Sequence, residues 1–314
     1  MKNVKIIASV LSLAFLLTSC GGEGSNSSEE NNNKSVQAQS EKSSSDKDEK
    51  VDTKDYTFQV ITREDGSGTR GAFSEIIGLI EEKDGNKKDL TTKEASVQNS
   101  TNAVMQQVSL QEGAIGYISL GSLNDTVKAV KIEGVEANKE NVKDGSYKLQ
   151  RPFNIAYKKN EDLPEEAKDF LNYILSSDIS NIVDDNGYIS SSDKKEYQKK
   201  DGLSGKVTIA GSTSVSPLME KLIEEYKKVQ PDVSVELQSI GSTEGLNAVN
   251  DGQAQIAMVS RELSDDENKD FTSDVLAKDG IAVIVNKKSS LEDLNTDTIL
   301  KIYKGEIKST SEIK

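Results

Sequence analysis

Glycine and hydroxyl residues that follow short β-like runs are the strongest chemical signal in this sequence. Loops of this kind occur at residues 65–70, 210–214, 240–245 and 259–261. At least the first three open helix-like segments, and the N-terminus of a helix presents free N–H groups and a partial positive charge. Hydroxyl donors beside those N–H groups make a receptor for an oxyanion. Several such loops in one chain, with Arg63 just before the first, predict convergence on one tetrahedral anion.

Composition excludes several kinds of site and partner. The chain has 314 residues and a formal net charge of −14, whereas nucleic acids and anionic membrane surfaces attract basic proteins. It has no histidine, which excludes an imidazole metal site and a Ser-His-Asp triad. Cys20 is the only cysteine, so no internal disulfide can form. We therefore expect no nucleic-acid partner. We also expect no metal and no cofactor, with a magnesium site built from the abundant carboxylates as the alternative.

Residues 1–20 have the features of an export signal. Lysines precede an apolar run over residues 6–17, which is too short to span a membrane with margin. The run ends in Leu-Thr-Ser-Cys20, which resembles a bacterial lipobox. That resemblance implies cleavage before Cys20 and a diacylglycerol on its sulfur, hence a protein anchored by lipid on the extracytoplasmic face of the cell membrane. An ordinary signal peptide is the alternative.

Residues 21–54 are rich in Ser, Asn, Glu, Lys and Asp and have almost no apolar content. Such a segment cannot bury enough surface to fold, so we expect a disordered tether. From Tyr56 onward, strand-like and helix-like periodicities alternate, which predicts an α/β architecture. In such folds ligands bind beyond the carboxyl ends of the strands, where the glycine-hydroxyl loops are predicted.

The helix after the first loop is predicted to bury one apolar face, made of Ala72, Phe73, Ile76, Ile77 and Ile80. Buried strands are predicted at residues 256–260 and 281–286. Residues 190–205 are polar and lysine-rich, so we expect a linker with little to bury.

Several segments together resemble one known family. Val207-Thr-Ile-Ala-Gly-Ser-Thr-Ser-Val-Ser-Pro217 and the segments at 238–245, 256–263 and 279–286 resemble one lobe of the phosphate-binding proteins of bacterial phosphate ABC transporters, the PstS family. Val60-Ile-Thr-Arg-Glu-Asp-Gly-Ser-Gly-Thr-Arg-Gly71 resembles the phosphate loop of the second lobe. Segments at 113–119, 151–154 and 186–189 resemble later landmarks of that lobe.

The resemblance covers nearly everything from Tyr56 to the end and implies a two-lobed fold of the periplasmic-binding-protein type II. It also implies a solute-binding protein rather than an enzyme. Such a protein captures inorganic phosphate between its lobes and delivers it to the membrane subunits of an ABC permease. We expect it to act as a monomer.

The two halves stand in exchanged order relative to the family, which resembles a circular permutation. Residues 190–205 would then link the family's usual termini. Folds whose termini lie close together tolerate such a permutation. The resemblance divides the chain into a split lobe, residues 56–149 plus 284–314, and a continuous lobe, residues 150–283, with hinges near 149–152 and 283–286. A rearranged gene with a non-working product is the alternative.

Position by position, the resemblance assigns phosphate contacts to two groups of residues. The split lobe contributes Arg63, Ser67, Gly68 and Thr69, and the continuous lobe contributes Thr213, Ser214, Ser242 and Ser260. Hydroxyls and backbone N–H groups suit this task because they donate to phosphate oxygens without a large counter-charge, and the Arg63 fork adds charge-assisted donors.

Neighbouring residues are expected to support the contacts. The resemblance implies that Asp65 holds Arg63 in place and partly neutralises it. Arg261, beside Ser260, is expected to support the site from behind the direct contacts, with a cationic contact to the anion as the alternative. Ser100-Thr101-Asn102 opens a further helix-like segment and is interpreted as a cap. Some family members carry an aspartate where Ser260 stands, which accepts the proton of hydrogen phosphate and repels sulfate. The mechanism of selection against sulfate therefore stays open.

Other functions compete with phosphate transport. The same loops could bind another oxyanion, such as sulfate or molybdate, or serve a phosphate sensor or scavenger. A phosphate-ester enzyme is the weakest alternative. No segment follows the Gly-x4-Gly-Lys-Ser/Thr pattern, and the predicted folded region has no His or Cys nucleophile.

Overall fold

The structure, a computed structural model, describes residues 55–83, 86–191 and 194–313. The predicted signal peptide, the lipidation site Cys20 and the tether lie outside these ranges. Within them, no helix is long and apolar enough to cross a membrane.

The strands are distributed along the whole described chain. They are β1 Gln59–Arg63, β2 Ile80–Lys83, β3 Asn86–Asp89, β4 Ser96–Gln98, β5 Ala114–Ser119, β6 Lys128–Ala129, β7 Lys131–Ile132, β8 Gln150–Lys158, β9 Ile189–Ser190, β10 Gly205–Gly211, β11 Val233–Ser239, β12 Ile256–Val259, β13 Phe271–Val285 and β14 Asp293–Leu294. The helices are α1 Gly68–Ile76, α2 Thr101–Leu110, α3 Lys139–Lys143, α4 Glu165–Ile174, α5 Ser180–Asp185, α6 Ser216–Val229, α7 Ser242–Asn250, α8 Glu267–Asp270 and α9 Thr296–Lys304.

One mixed sheet organises the molecule, in the order β11-β10-β12-β8-β13-β5-β1-β4, with β6 and β9 also paired to β13. Its middle strands, β8 and β13, run antiparallel to each other and to their outer neighbours. The last part of β13, from Ile281 to Val285, is buried, which explains its continuous apolar run.

The two ends of this sheet repeat one βαβαβ unit. At one end β1, α1, β4, α2 and β5 give the order β5-β1-β4, with parallel pairings. At the other end β10, α6, β11, α7 and β12 give β12-β10-β11, also parallel. In each unit the first strand lies between the second and the third. Therefore β1 corresponds to β10, α2 to α7, and β5 to β12.

Buried apolar side chains form separate cores on the two sides of β8 and β13, which we call the crossing strands. The split-lobe core draws on residues between Val60 and Leu149 and between Ile281 and Tyr303. The core of the continuous lobe draws on residues between Phe153 and Ala277. The change of core thus falls at the start of β8 and inside β13, and Val283 already packs in the split lobe.

Three local predictions need correction. Ile76, predicted on the buried face of the first helix, is 36% exposed because it lies on the solvent side of the last turn of α1. Ile80 is not on the first helix, because α1 ends at Ile76 and the chain turns at Gly78, whose φ of +78° suits glycine. The linker also buries more than its composition indicates. Tyr197 donates to the buried carboxylate of Asp169 (2.8 Å), and Lys194 Nζ donates to the carbonyl of Leu276 (2.9 Å).

Candidate oxyanion site

Arg63 stands at the end of β1 and is held there from several sides. Its guanidinium is 2% exposed. Its backbone N–H donates to the hydroxyl of Tyr117 (3.2 Å), which also bonds to Thr62 Oγ1 (2.8 Å). Burial raises the pKa of Tyr117 to about 12, so this hydroxyl stays neutral. The Tyr117 ring stacks on Phe73 of α1, with ring centroids 4.0 Å apart, which fixes the strand against the helix that follows it.

The loop from β1 to α1 turns at Gly66, whose φ is +83°. Ser67 then caps α1 by accepting the backbone N–H of Arg70 at 3.3 Å. Gly68 and Thr69 follow as the first residues of the helix and are buried. The free N–H groups of this helix start therefore lie inside the molecule.

Hydroxyls of the two lobes meet directly at this point. Arg63 Nη2 donates to Thr213 Oγ1 at 3.0 Å, and Thr69 Oγ1 lies 2.8 Å from Ser214 Oγ. Thr213 and Ser214 lie between β10 and α6, and Pro217 is the second residue of that helix, where the missing N–H of proline is tolerated. The residues predicted after β1 and after β10 are thus brought together.

Ser242 and Ser260 lie beside the other predicted residues. Ser260 N–H donates to Ser242 Oγ at 3.2 Å, and Ser212 Oγ donates to Ser260 Oγ at 2.8 Å. A Cβ on Gly68 would stand 2.4 Å from Ser242 Oγ and 2.7 Å from Ser260 Oγ. Only glycine allows the α1 start to approach these serines so closely.

Two hydroxyl residues of this cluster were missing from the predicted set. Ser212 lies in a predicted anion loop but is not among the predicted contacts, and Thr101 is predicted only as part of a helix cap. The cap of α2 is Ser100, whose hydroxyl accepts the backbone N–H of Ala103 at 3.2 Å. Thr101 Oγ1 instead lies 3.1 Å from Ser214 Oγ. The signal that could have found Thr101 is its place at the start of α2, which corresponds to that of Ser242 at the start of α7.

The predicted role of Asp65 is wrong. Its side chain is 97% exposed and pairs with Arg70, whereas the partner of Arg63 is Glu64. Glu64 Oε2 and Oε1 accept from Arg63 Nε at 2.8 Å and from Nη2 at 2.7 Å. The physical reason is the turn at Gly66, beside which Asp65 points away from the buried end of β1.

Arg261 faces away from the hydroxyl cluster. Its guanidinium pairs with Glu267 at 2.6 Å and also donates to Thr243 Oγ1 at 3.3 Å. Its Cδ lies 3.3 Å from the position that a Cβ on Gly71 would occupy. Arg261 therefore covers α1 of the opposite lobe.

A buried ion pair supports the cluster from the crossing strands. Arg151 of β8 pairs with Asp279 of β13 at 3.1 Å, and Arg151 Nη1 donates to the carbonyl of Ser260 at 3.1 Å. Burial raises the pKa of Asp279 to about 6, against the opposing effect of Arg151 and of the Ser119 hydroxyl. Burial likewise lowers the pKa of Arg151. The sequence pattern around Arg151 matches the family but does not predict this role, because Asp279 and Ser260 are more than a hundred residues away.

The chemistry of the cluster is that of a binding site. Hydroxyls, helix N-termini and one guanidinium converge, and the cations of Arg63 and Arg151 are each matched by a carboxylate. Within the residues that the structure describes, no group of acidic or cysteine side chains could hold a metal ion. The arrangement suits a tetrahedral oxyanion that is held by hydrogen bonds and charge-assisted donors.

Comparisons with known proteins agree with this interpretation. A family model described as the PBP superfamily domain matches residues 36–178 and 197–312. The chain is 46% identical over 259 residues to phosphate-binding protein PstS 2 of Streptococcus pneumoniae. The aligned region covers 82% of this chain and 88% of that protein. This chain belongs to the PstS family of phosphate-binding proteins. PstS 2 of Streptococcus agalactiae is 48% identical over the same shares of the two chains.

A solved PstS-family structure supports the fold. The crystal structure of a phosphate-binding protein of a phosphate ABC transporter from Streptococcus pneumoniae superimposes on this chain with a TM-score of 0.65. It is 44% identical and covers 82% of this chain and 100% of that one. The predicted family and the predicted two-lobed fold are therefore confirmed. PstS proteins are solute-binding proteins, not enzymes, which confirms that prediction as well.

Proposed function

We propose that this chain captures inorganic phosphate between its two lobes and delivers it to an ABC permease. The observation that carries the proposal is the convergence of Arg63 with buried hydroxyls from both lobes. Proteins named for phosphate binding share 46–48% of its residues over most of the chain. Hinge movement at β8 and β13 would open and close the cleft.

The proposed phosphate contacts are Arg63, Ser67, Gly68, Thr69, Thr213, Ser214, Ser242 and Ser260. Contacts between lobes, such as Thr69 to Ser214, would be exchanged for contacts from each hydroxyl to a phosphate oxygen. A dianion loses much hydration energy on burial, so a nearly complete shell of donors is needed to offset it. Arg63 adds the charge-assisted donors, while Glu64 fixes the orientation of its guanidinium.

Selection against sulfate would not depend on a carboxylate at position 260. Ser260 Oγ accepts from Ser212 Oγ at 2.8 Å and has a neutral hydroxyl for the ligand. A hydroxyl can both donate and accept, so it can accept a hydrogen bond from the P–OH group of hydrogen phosphate or donate one to an oxygen of sulfate, without repelling sulfate. We therefore expect discrimination to be weaker than an aspartate at that position would give.

Titration calorimetry of the purified chain with phosphate, repeated with excess sulfate, tests the function. We expect one phosphate per chain and partial competition by sulfate. Heat from sulfate or molybdate in the absence of a phosphate signal would assign the site to another oxyanion. A chain that unfolds cooperatively but binds none of these anions would contradict the proposal.

We also propose that Cys20 anchors the protein by lipid on the extracytoplasmic side of the membrane, as a monomer. The lipobox-like Leu-Thr-Ser-Cys20 supports the anchor. Metabolic labelling with radioactive palmitate should mark the wild-type protein, and a Cys20→Ala variant should lose the label. Retained label in the variant would contradict the anchor, and light scattering of the purified chain checks the monomer.

The exchanged order of the halves is proposed to be a working circular permutation. The two ends of the described chain lie together. The Asp55 carboxylate accepts from the Ser311 backbone N–H at 2.9 Å, and Thr57 bridges Ser309. A variant that joins residue 313 to residue 55 and opens the chain between 191 and 194 should fold and bind phosphate like the wild type. Failure of that variant to fold would count against the permutation.

A further inference from the structure

We propose that Thr101 is a further phosphate-binding residue, the split-lobe counterpart of Ser242. The inference rests on the proposed function and extends the set of contacts that the family resemblance assigns. Its basis is the repeated βαβαβ unit together with the contacts of the Thr101 side chain.

The repeat places Thr101 and Ser242 at equivalent positions. Thr101 is the first residue of α2 and Ser242 is the first residue of α7. Each helix follows the second strand of its unit, β4 or β11, and each of those strands pairs in parallel with the first strand. The carboxyl ends of β4 and β11 therefore face the cleft from opposite lobes.

The side chain of Thr101 lies among the proposed phosphate contacts. The residue is 3% exposed. Its Oγ1 lies 3.1 Å from Ser214 Oγ, 3.2 Å from Thr213 Oγ1 and 3.5 Å from Arg63 Nη1. Two of these neighbours come from the loop after β10, more than a hundred residues away, and the third comes from β1. A hydroxyl in this position reaches the same ligand as its neighbours do.

Capping does not account for this hydroxyl. Ser100 Oγ already accepts the Ala103 N–H and caps α2. The backbone N–H of Thr101 also points into the cluster, since it donates to Thr213 Oγ1 at 3.3 Å. Thr101 thus offers two donors, a hydroxyl and a backbone N–H, where the fold requires neither for the helix cap.

Including Thr101 completes the donor shell symmetrically. The anion would meet the starts of α1, α2, α6 and α7, two from each lobe. Each start contributes N–H groups and at least one hydroxyl residue nearby, namely Thr69, Thr101, Ser214 and Ser242. A tetrahedral anion has four oxygens, so each of the four helix starts would direct its donors at one side of the anion.

Calorimetric titration of phosphate into variants of the full chain tests the inference. Thr101→Val removes the hydroxyl and keeps the shape, so phosphate binding should weaken about 10- to 100-fold, as expected for a lost hydrogen bond to a charged group. Thr101→Ser should restore most of the affinity. Thr296→Val is the matched control, since Thr296 opens α9 in the same way but bonds to Glu133 outside the cluster. Its affinity should equal that of the wild type.

Ser100→Ala separates binding from helix stability. This variant removes the cap of α2, so it should lower the melting temperature without phosphate but leave the affinity unchanged. A Thr101→Val variant that binds phosphate within about twofold of the wild type would overturn the inference. An equal loss of affinity in Ser100→Ala would overturn it too, because Thr101 would then act only through the helix. Absence of phosphate binding in the wild type would instead contradict the proposed function.

Discussion

The first loops of the two lobes occupy equivalent places in the repeated unit but differ in chemistry. The loop after β1 carries Arg63 and its partner Glu64, whereas the loop after β10 carries the neutral hydroxyls of Ser212, Thr213 and Ser214. A second cation facing Arg63 would add repulsion and a further desolvation cost when the lobes meet. The difference teaches that one lobe supplies the charge and the other supplies matching donors.

The third strands of the two units differ as well. Ser260 follows β12 and lies in the hydroxyl cluster, but Ser119 at the end of β5 donates to Asp279 at 3.0 Å. The split lobe thus uses its serine to satisfy the ion pair in the crossing strands. That pair reaches the cluster through Arg151, which binds the Ser260 carbonyl.

The largest expected effect on phosphate affinity comes from Arg63, beside the loop after β1. Arg63→Gln removes the buried cation, and we expect phosphate binding to fall by about 30-fold to several thousand-fold, since loss of a buried charge partner costs about 2–5 kcal/mol. Arg63→Lys keeps the charge without the fork and should give an intermediate loss. Calorimetric titration measures both. Binding by Arg63→Gln within tenfold of the wild type would break the contrast between the lobes.

The next effect concerns the approach of the lobes. In Gly68→Ala, the new Cβ would stand 2.4 Å from Ser242 Oγ, so the α1 start could not reach the serines. We expect a loss of about 5- to 150-fold in affinity, in line with an overpacking cost of about 1–3 kcal/mol. Gly71→Ala is the control in the same helix, because its Cβ meets only the flexible Arg261 Cδ at 3.3 Å. Equal affinities for the two variants would contradict the close approach.

Removal of a single hydroxyl from the continuous lobe should weaken phosphate binding less than removal of the Arg63 guanidinium does. Ser242→Ala should weaken phosphate binding by about 1.5–3 kcal/mol, the contribution of a hydrogen bond to a charged group. Ser264→Ala, near the surface on the same lobe, should bind as the wild type does. The dissociation constants of both variants decide the point. A Ser242→Ala loss greater than that of Arg63→Gln would reverse the proposed division between the lobes.

The smallest effect is expected outside the cluster, at Asp89. Burial alone would raise the pKa of Asp89, but hydrogen bonds from Thr91 and Arg70 outweigh it and hold that pKa below its usual value. Such a group stabilises the folded chain above its unfolded pKa of about 3.9, and the contribution disappears as the pH falls.

Asp89→Asn should therefore lower the free energy of unfolding at pH 7 by about 0–1 kcal/mol, as for a surface pair, and by less near pH 3. Urea denaturation at the two pH values measures this, and phosphate affinity should not change. A difference between variant and wild type that grows as the pH falls would contradict the sign.

Local patterns predicted much of this molecule. The apolar runs at residues 256–260 and 281–286 correctly indicated the buried strand β12 and the buried end of β13, since a short apolar run is a local property. The glycine-hydroxyl loops were likewise recognisable, and the structure gathers their residues into one cluster. Each of these signals is complete within about ten residues.

The remaining features depend on distant partners. Thr101 has the sequence context of an ordinary cap, and only Thr213 and Ser214, from the other lobe, reveal its surroundings. The choice of Glu64 over Asp65 as the partner of Arg63 follows from the direction of the turn at Gly66, which composition does not specify. The docking of Tyr197 likewise required knowledge of buried Asp169.

A crystal structure of the chain grown with phosphate tests the central claim most directly. The account predicts one phosphate that accepts hydrogen bonds from Arg63 and the α1 start on one side, and from Ser242 and Ser260 on the other. Density for the anion outside this cluster, or contacts to one lobe only in a closed molecule, would contradict it.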